Sequence, residues 1–231
     1  MATRSRERRL NKPYNPLEKG NLAESIAQAI LKSPVRPLAE TSHLMGAGVY
    51  VIYYRGALDW YDPVSSKNKD DQFNQPIYIG KAIPKGGRKG GVSEDAAAKG
   101  TALRDRLGQH FSSVNEASNL NADDFHYQCL VVDDIWIPLG ENMLIEQYKP
   151  VWNRVIDGFG NKDPGNRRKD QYRSPWDVIH PGRKFADKLG VNPRTADEIV
   201  ADLKAYFETG TVPKRLKAAA TKEDDPGHDD D

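Results

Sequence analysis

A chain of 231 residues with 38% apolar content has room for one large domain, or one core with extensions, and enough apolar material for a buried interior. Its 29% charged fraction and mean hydropathy of −0.73 argue against a membrane protein, and no apolar run approaches the roughly 18–20 residues a spanning helix needs. The net charge of +1 conceals an acidic C-terminal stretch, EDDPGHDDD, which reads as a disordered tail, and a basic remainder that fits a polyanionic partner.

The amino terminus, MATRSRERRL, is basic without the apolar stretch of a secretory signal, which points to the cytoplasm. Asn15-Pro16 opens a helix whose apolar stripe, Leu22, Ile26 and Ile30, ends before Pro34. That stripe serves either a dimer or DNA contact or packing on its own core. Gly48 to Tyr54, β-branched and aromatic, is a strand. A polar stretch over 55–75 leads to a second strand at Ile77-Tyr78-Ile79-Gly80, and the Gly/Lys/Ala-rich residues 82–100 read as an inserted loop. Leu103, Leu107, Phe111 and Val114 recur at helical spacing. Phe125 to Val132 is a third strand, in which Cys129, the only cysteine, reads as a buried structural position. One cysteine excludes an internal disulfide and a cysteine-rich zinc site. Met143, Leu144 and Tyr148 belong to a helix that must finish before Pro150. Residues 157–183 are rich in glycine, proline and arginine with aromatics between them. Two short helices follow; the second carries the capping box Thr195/Glu198 and a stop at Gly210. The economical architecture is α+β: a small, three-stranded, mainly antiparallel sheet flanked by helices, with N- and C-terminal extensions.

Chemistry-bearing residues stand at particular places on those elements: Tyr50, Tyr78, Lys81, Arg106 and His110 four apart on one helix face, Glu141 and Asn153. Singly, each has an ordinary explanation. Strand tyrosines pack, a helical histidine is usually structural, a glutamate opening a helix complements its dipole, and Arg106 resembles any surface charge. In combination, GVY, YIGKA, LRDRLGQHF and ENMLIEQYKPVWN resemble the GIY-YIG nuclease superfamily over roughly residues 46–153, with valine in the GVY motif where the family has isoleucine. The insertions and the tail WNRVIDGFGN…SPWDVIHPGR look like the Type II restriction endonucleases of that superfamily.

The resemblance implies an arm at 1–45, a catalytic core at 46–153, a DNA-contacting and helical extension at 154–216 and an acidic tail at 217–231. It also implies cleavage of double-stranded DNA at a short, GC-rich, CCGCGG-like palindrome, and a cognate DNA methyltransferase in the same restriction-modification system. A palindromic target demands two-fold symmetry, so a homodimer is expected. The rivals are a nuclease of DNA repair or mobile elements, and a catalytically inactive DNA-binding module. Glu141 is the expected ligand of one Mg2+, with Mn2+ as substitute, because a hard carboxylate suits an ion that keeps most of its waters. Glu146 competes, but five residues on it lies about 140° round an ideal helix. The resemblance gives the base role to Tyr50. A phenol with an ordinary pKa near 10 needs cations or a proton acceptor for this, from Lys81 or His110, and the choice of base between Tyr50 and His110 stays open. Tyr78 positions water or a phosphate oxygen, Arg106 holds the scissile phosphate, and Asn153 braces the site. DNA contacts are expected from Lys85, Arg88, Lys89, Arg167, Arg168, Lys169, Arg173, His180 and Arg183, with His180 equally readable as a structural turn residue.

Overall fold

The computed structural model of the protein describes residues 15, 17–83, 100–164 and 171–213. Helix α1 (Lys19–Leu31) is followed by strands β1 (Arg36–Pro37) and β2 (Gly48–Tyr54), the short helix α2 (Asp62–Ser65) and strand β3 (Pro76–Ala82). Then come helix α3 (Ala102–Glu116), strand β4 (Phe125–Val131) and helices α4 (Ile137–Tyr148), α5 (Val151–Arg154), α6 (Pro175–Ile179) and α7 (Ala196–Thr209). The sheet has four strands in the order β1-β4-β2-β3, all antiparallel, where three were expected. The extra strand is two residues long and contains Pro37, so it carries no periodic pattern, and it lies at an edge, as a residue without an N–H must.

Strand β2 lies between two neighbours and all seven of its residues are buried. Side-chain alternation divides them between two cores. Val49, Val51 and Tyr53 join Ile79, Ala27 and Ile30, so α1 packs on its own domain under α4. Tyr50, Ile52 and Tyr54 join Leu103, Leu107, Trp152 and Trp176 on the opposite face. Gly140 allows α4 to lie close: a Cβ there would stand 3.2 Å from Ile26 and 3.3 Å from Val49.

Three local readings need correction. The expected loop at 55–75 folds into two 3-10 turns around α2, with Tyr61, Val64 and Asn68 buried. Asn68 closes it by donating to the carbonyls of Tyr54 (3.0 Å) and Gln75 (2.9 Å) and accepting from Gln75 N–H (2.9 Å). Helix α4 begins at Ile137, so Glu141 is its fifth residue rather than its first, and a dipole role confined to the first turn does not explain it. Of the two helices expected after residue 183, the first is only a 3-10 turn, Ala186–Lys188; the second, α7, has its full capping box and a left-handed Gly210 stop. Cys129 lies in β4, half-buried, with its thiol pushed up to about 11, chiefly by desolvation. The expected acidic tail lies outside the described residues, as does most of the 82–100 loop. Among the described residues, no helix is long and apolar enough to cross a membrane.

Candidate active site

The site is built first by two glycines. A Cβ on Gly48 would stand 1.9 Å from the Leu130 carbonyl oxygen on the neighbouring strand, so only glycine lets β2 and β4 approach. Gly80 is the direct cross-strand partner of Tyr50, and a Cβ there would lie 2.3 Å from the Tyr50 hydroxyl. The tyrosine therefore lies over the bare backbone of β3 and reaches α3. Its Oη stands 2.7 Å from His110 Nε2. The Tyr78 ring, on the same face, has its centroid 6.3 Å from that of Tyr50 and 5.1 Å from that of His110.

Lys81 and Glu141 stand on the other face of the sheet, Nζ to Oε2 at 2.6 Å. Glu141 is nonetheless close enough for its charge to act on both phenols. Glu146, the competing carboxylate, is 70% exposed and paired with Arg154. Asn153 clamps the open edge of β3: its side chain accepts from Ile79 N–H and donates to Ile79 C=O, both at 2.8 Å. The amide thus does what a neighbouring strand would do for these two backbone groups.

Electrostatics fixes the resting protonation states. Burial pushes the Tyr50 phenol well above its ordinary range; Tyr78 and Glu141 push the same way, and Arg106 opposes them by charge and hydrogen bonding. The Tyr78 phenol is raised too, again by burial, against Arg106. Burial, then Arg106 and Arg183, holds His110 well below its usual pKa. With tyrosine protonated and histidine neutral, Tyr50 O–H donates to Nε2, a tautomer assigned from those states with the ring proton on Nδ1. Lys81 is paired with Glu141, and of the two expected helpers His110 is the one at hydrogen-bond distance from the phenol.

Arg106 donates to Gly160 C=O (3.0 Å) and to Gln109 Oε1 (3.3 Å). Together with His110 it lines a cleft of about 310 Å³, to which Gln109, Phe159, Gly160 and Lys162 also contribute. Phe159, which sequence reasoning did not single out, stacks on His110 at 4.4 Å and 17°. Nothing in the local pattern GFGN marks a ring that covers a histidine 49 positions earlier.

The residues expected at DNA divide. Lys85, Arg88, Lys89, Arg167, Arg168 and Lys169 lie outside the described residues. Arg173 donates to Ala186 C=O at 3.0 Å and pairs with Asp187 at 3.6 Å. His180 and Arg183 are 0% and 1% exposed, so in this conformation neither reaches a base edge. His180 closes a buried chain: Trp152 Nε1–H donates to Tyr61 Oη (2.8 Å), whose O–H donates to His180 Nε2 (2.8 Å), and Nδ1 meets Asn119 Oδ1 (3.0 Å).

Burial, with the Arg183 charge, brings the His180 pKa down to about 3. Both buried histidines therefore refuse protons that the unfolded chain accepts near pH 6.5. Their contribution to stability is complete above that pH and is lost as pH falls below it, by about 1.4 kcal/mol per pH unit for each ring. Urea unfolding at pH 8, 6, 5 and 4 measures this; equal stability at pH 8 and pH 5 would refute it.

Glu141 is a single hard carboxylate, 14% exposed and already facing a cation, and among the described residues no three His, Cys, Asp or Glu side chains gather as a metal cluster. Glu141 would hold one divalent ion through the carboxylate oxygen that Lys81 does not take, with water and phosphate oxygens as the other donors. Residues 42–207 match the family model described as Eco29kI GIY-YIG domain. No curated protein matches the chain.

Proposed function

Since the chain belongs to the Eco29kI GIY-YIG family of DNA endonucleases, we propose that it is a Type II restriction enzyme using Mg2+, with Mn2+ as substitute, at a short GC-rich palindrome, CCGCGG-like. Nucleases of this superfamily generally depend on a divalent metal. In this reading the protein acts in the cytoplasm as a homodimer, opposite a cognate methyltransferase.

The observation that carries the catalytic reading is the 2.7 Å contact between Tyr50 Oη and His110 Nε2, within electrostatic reach of Glu141. Tyr50 is fully buried in the free protein, so in this scheme DNA binding first opens a path to its Oη. Water then attacks phosphorus and gives its proton to Tyr50 Oη as the Tyr50 proton passes to His110 Nε2; the P–O bond to the leaving oxygen breaks, and that oxygen takes a proton from solvent. The concerted transfer avoids a free phenolate, which the raised phenol pKa disfavours. Formation of imidazolium, disfavoured in the free protein, is eased by the negative phosphate that DNA brings. Arg106 binds a non-bridging phosphate oxygen through N–H groups other than the one it gives to Gly160 C=O, and Tyr78 orients the attacking water. Lys81 holds the Glu141 carboxylate in place. Glu141 would hold the divalent cation, which would supply charge stabilisation at the phosphate and the leaving oxygen.

Incubation with plasmid and Mg2+ should give discrete fragments, and EDTA should abolish them. Nicking restricted to lesions or branches would support the repair reading instead. DNA binding with no cleavage under any divalent ion would support the inactive module.

A further inference from the structure

Arg183 is among the largest side chains of the fold that are fully buried, and the catalytic scheme above does not use it. Its Nε and Nη2 grip Asp177 as a fork, at 2.7 and 2.8 Å. The remaining N–H groups fall on one short segment. Nη2 donates to Gly158 C=O (2.8 Å), and Nη1 to Phe159 C=O (3.1 Å) and Asn161 C=O (3.3 Å). Nη1 also stands 3.5 Å from Ser113 Oγ, one turn beyond His110 on α3. The guanidinium lies over the Trp176 ring at 4.5 Å and the Phe185 ring at 4.8 Å. A lysine cannot make this set of contacts, because only a planar fork satisfies a carboxylate and a row of carbonyls at once.

The segment so gripped meets the site at two points. The Phe159 ring stacks on His110 and meets Tyr78 edge-on at 5.0 Å. The Gly160 carbonyl accepts from Arg106 Nη2 at 3.0 Å, and a Cβ on Gly160 would stand 2.7 Å from that same nitrogen. Gly158, at φ +110°, turns the chain where a Cβ would strike Ser174.

We propose that Arg183 and Asp177 are positioning residues for phosphodiester cleavage: by fixing residues 158–161 they set the pose of His110 through Phe159 and of Arg106 through the Gly160 carbonyl, without touching DNA. This rests on the nuclease reading above. Four titratable or charged groups face His110: Tyr50 from β2, Tyr78 from β3, Arg106 from its own helix and Arg183 from the C-terminal extension. The last of these, behind burial and Arg106, also helps to keep the ring neutral.

The test uses the full chain, with Phe159→Leu and Arg183→Lys beside the wild type. Three quantities are read: the single-turnover cleavage rate of plasmid DNA with Mg2+, affinity for the same DNA in EDTA, and the titration of the His110 ring by NMR. Misplacement of this size predicts a cleavage rate lowered roughly 10- to 100-fold in both variants. Affinity should stay within about threefold, since no phosphate contact is removed. In Phe159→Leu, the His110 midpoint should move up toward the ordinary imidazole value, because the ring loses its cover. A merely structural role would lower the active fraction and leave that midpoint alone. Wild-type rates in folded Phe159→Leu overturn the proposal. If Arg183→Lys does not fold, Phe159→Leu decides alone. A wild type that does not cut DNA defeats the nuclease reading instead, and an unmoved His110 titration then overturns the positioning claim as well.

Discussion

Glu141→Gln should lower DNA cleavage by on the order of 10³ while leaving DNA affinity equal or slightly higher. The substitution keeps the shape of the side chain and removes the one carboxylate that both phenols feel. It also leaves Lys81 without its ion pair. That loss weighs little on folding, because the Lys81 side chain is 36% exposed and can be hydrated; exposed or half-exposed pairs are worth about 1 kcal/mol or less. Binding should not suffer, since removing a negative charge beside a polyanion lowers repulsion. A neutral amide, however, is a poor ligand for a hard divalent ion, so the charge that offsets the phosphate is lost at the chemical step. Single-turnover cleavage and a gel-shift titration on the same DNA measure the two effects separately. Cleavage within tenfold of wild type would remove Glu141 from the metal-binding role. A similar loss in Glu146→Gln would do so too, because that side chain pairs with Arg154 at the surface.

How much of this was legible in the sequence depended on how local the cause was. The capping box of α7 and the left-handed stop at Gly210 are short-range geometry, and both stand where the residues place them. Strand β2 was legible for a similar reason: its β-branched and aromatic run is bounded by Gly48, which close approach to Leu130 requires. Tyr50 and His110 were separable from ordinary packing residues only as part of an ordered set of motifs, because nothing local to either announces a 2.7 Å partner 60 positions away. What was not legible shares one physical origin. His180, readable as a DNA contact or as a structural turn residue, and Arg183, expected at DNA, stand in an arginine-rich stretch, yet burial is decided by which distant residues close over them. Here those are Tyr61 and Asn119 for the histidine, and Asp177 with the 158–161 carbonyls for the arginine. A two-residue edge strand and a loop that folds around Tyr61 likewise owe their form to tertiary partners rather than to periodicity.

The Arg183–Asp177 pair leads to the largest expected effect on stability. Asp177→Ala should destabilise the folded protein by about 3–5 kcal/mol, because it leaves a guanidinium in the core without its counter-charge. The two side chains are 1% and 2% exposed, so neither water nor salt can replace the lost carboxylate. The change also removes the acceptor of the Ser174 O–H, 2.6 Å away at the start of α6. An internal control is available in Asp187→Ala. Its pair with Arg173 has the same charge types, but the aspartate is 68% exposed and the contact is 3.6 Å, so the loss should stay under about 1 kcal/mol. Urea unfolding of both variants beside wild type, followed by tryptophan fluorescence, gives the comparison directly, since Trp176 lies under the guanidinium at 4.5 Å. Equal small losses in the two variants would mean that the core relaxes to admit water around Arg183. The 158–161 segment would then be held by its own packing, and Phe159 would owe its place over His110 to the aromatic cluster of Trp152 and Trp176 instead of to the ion pair.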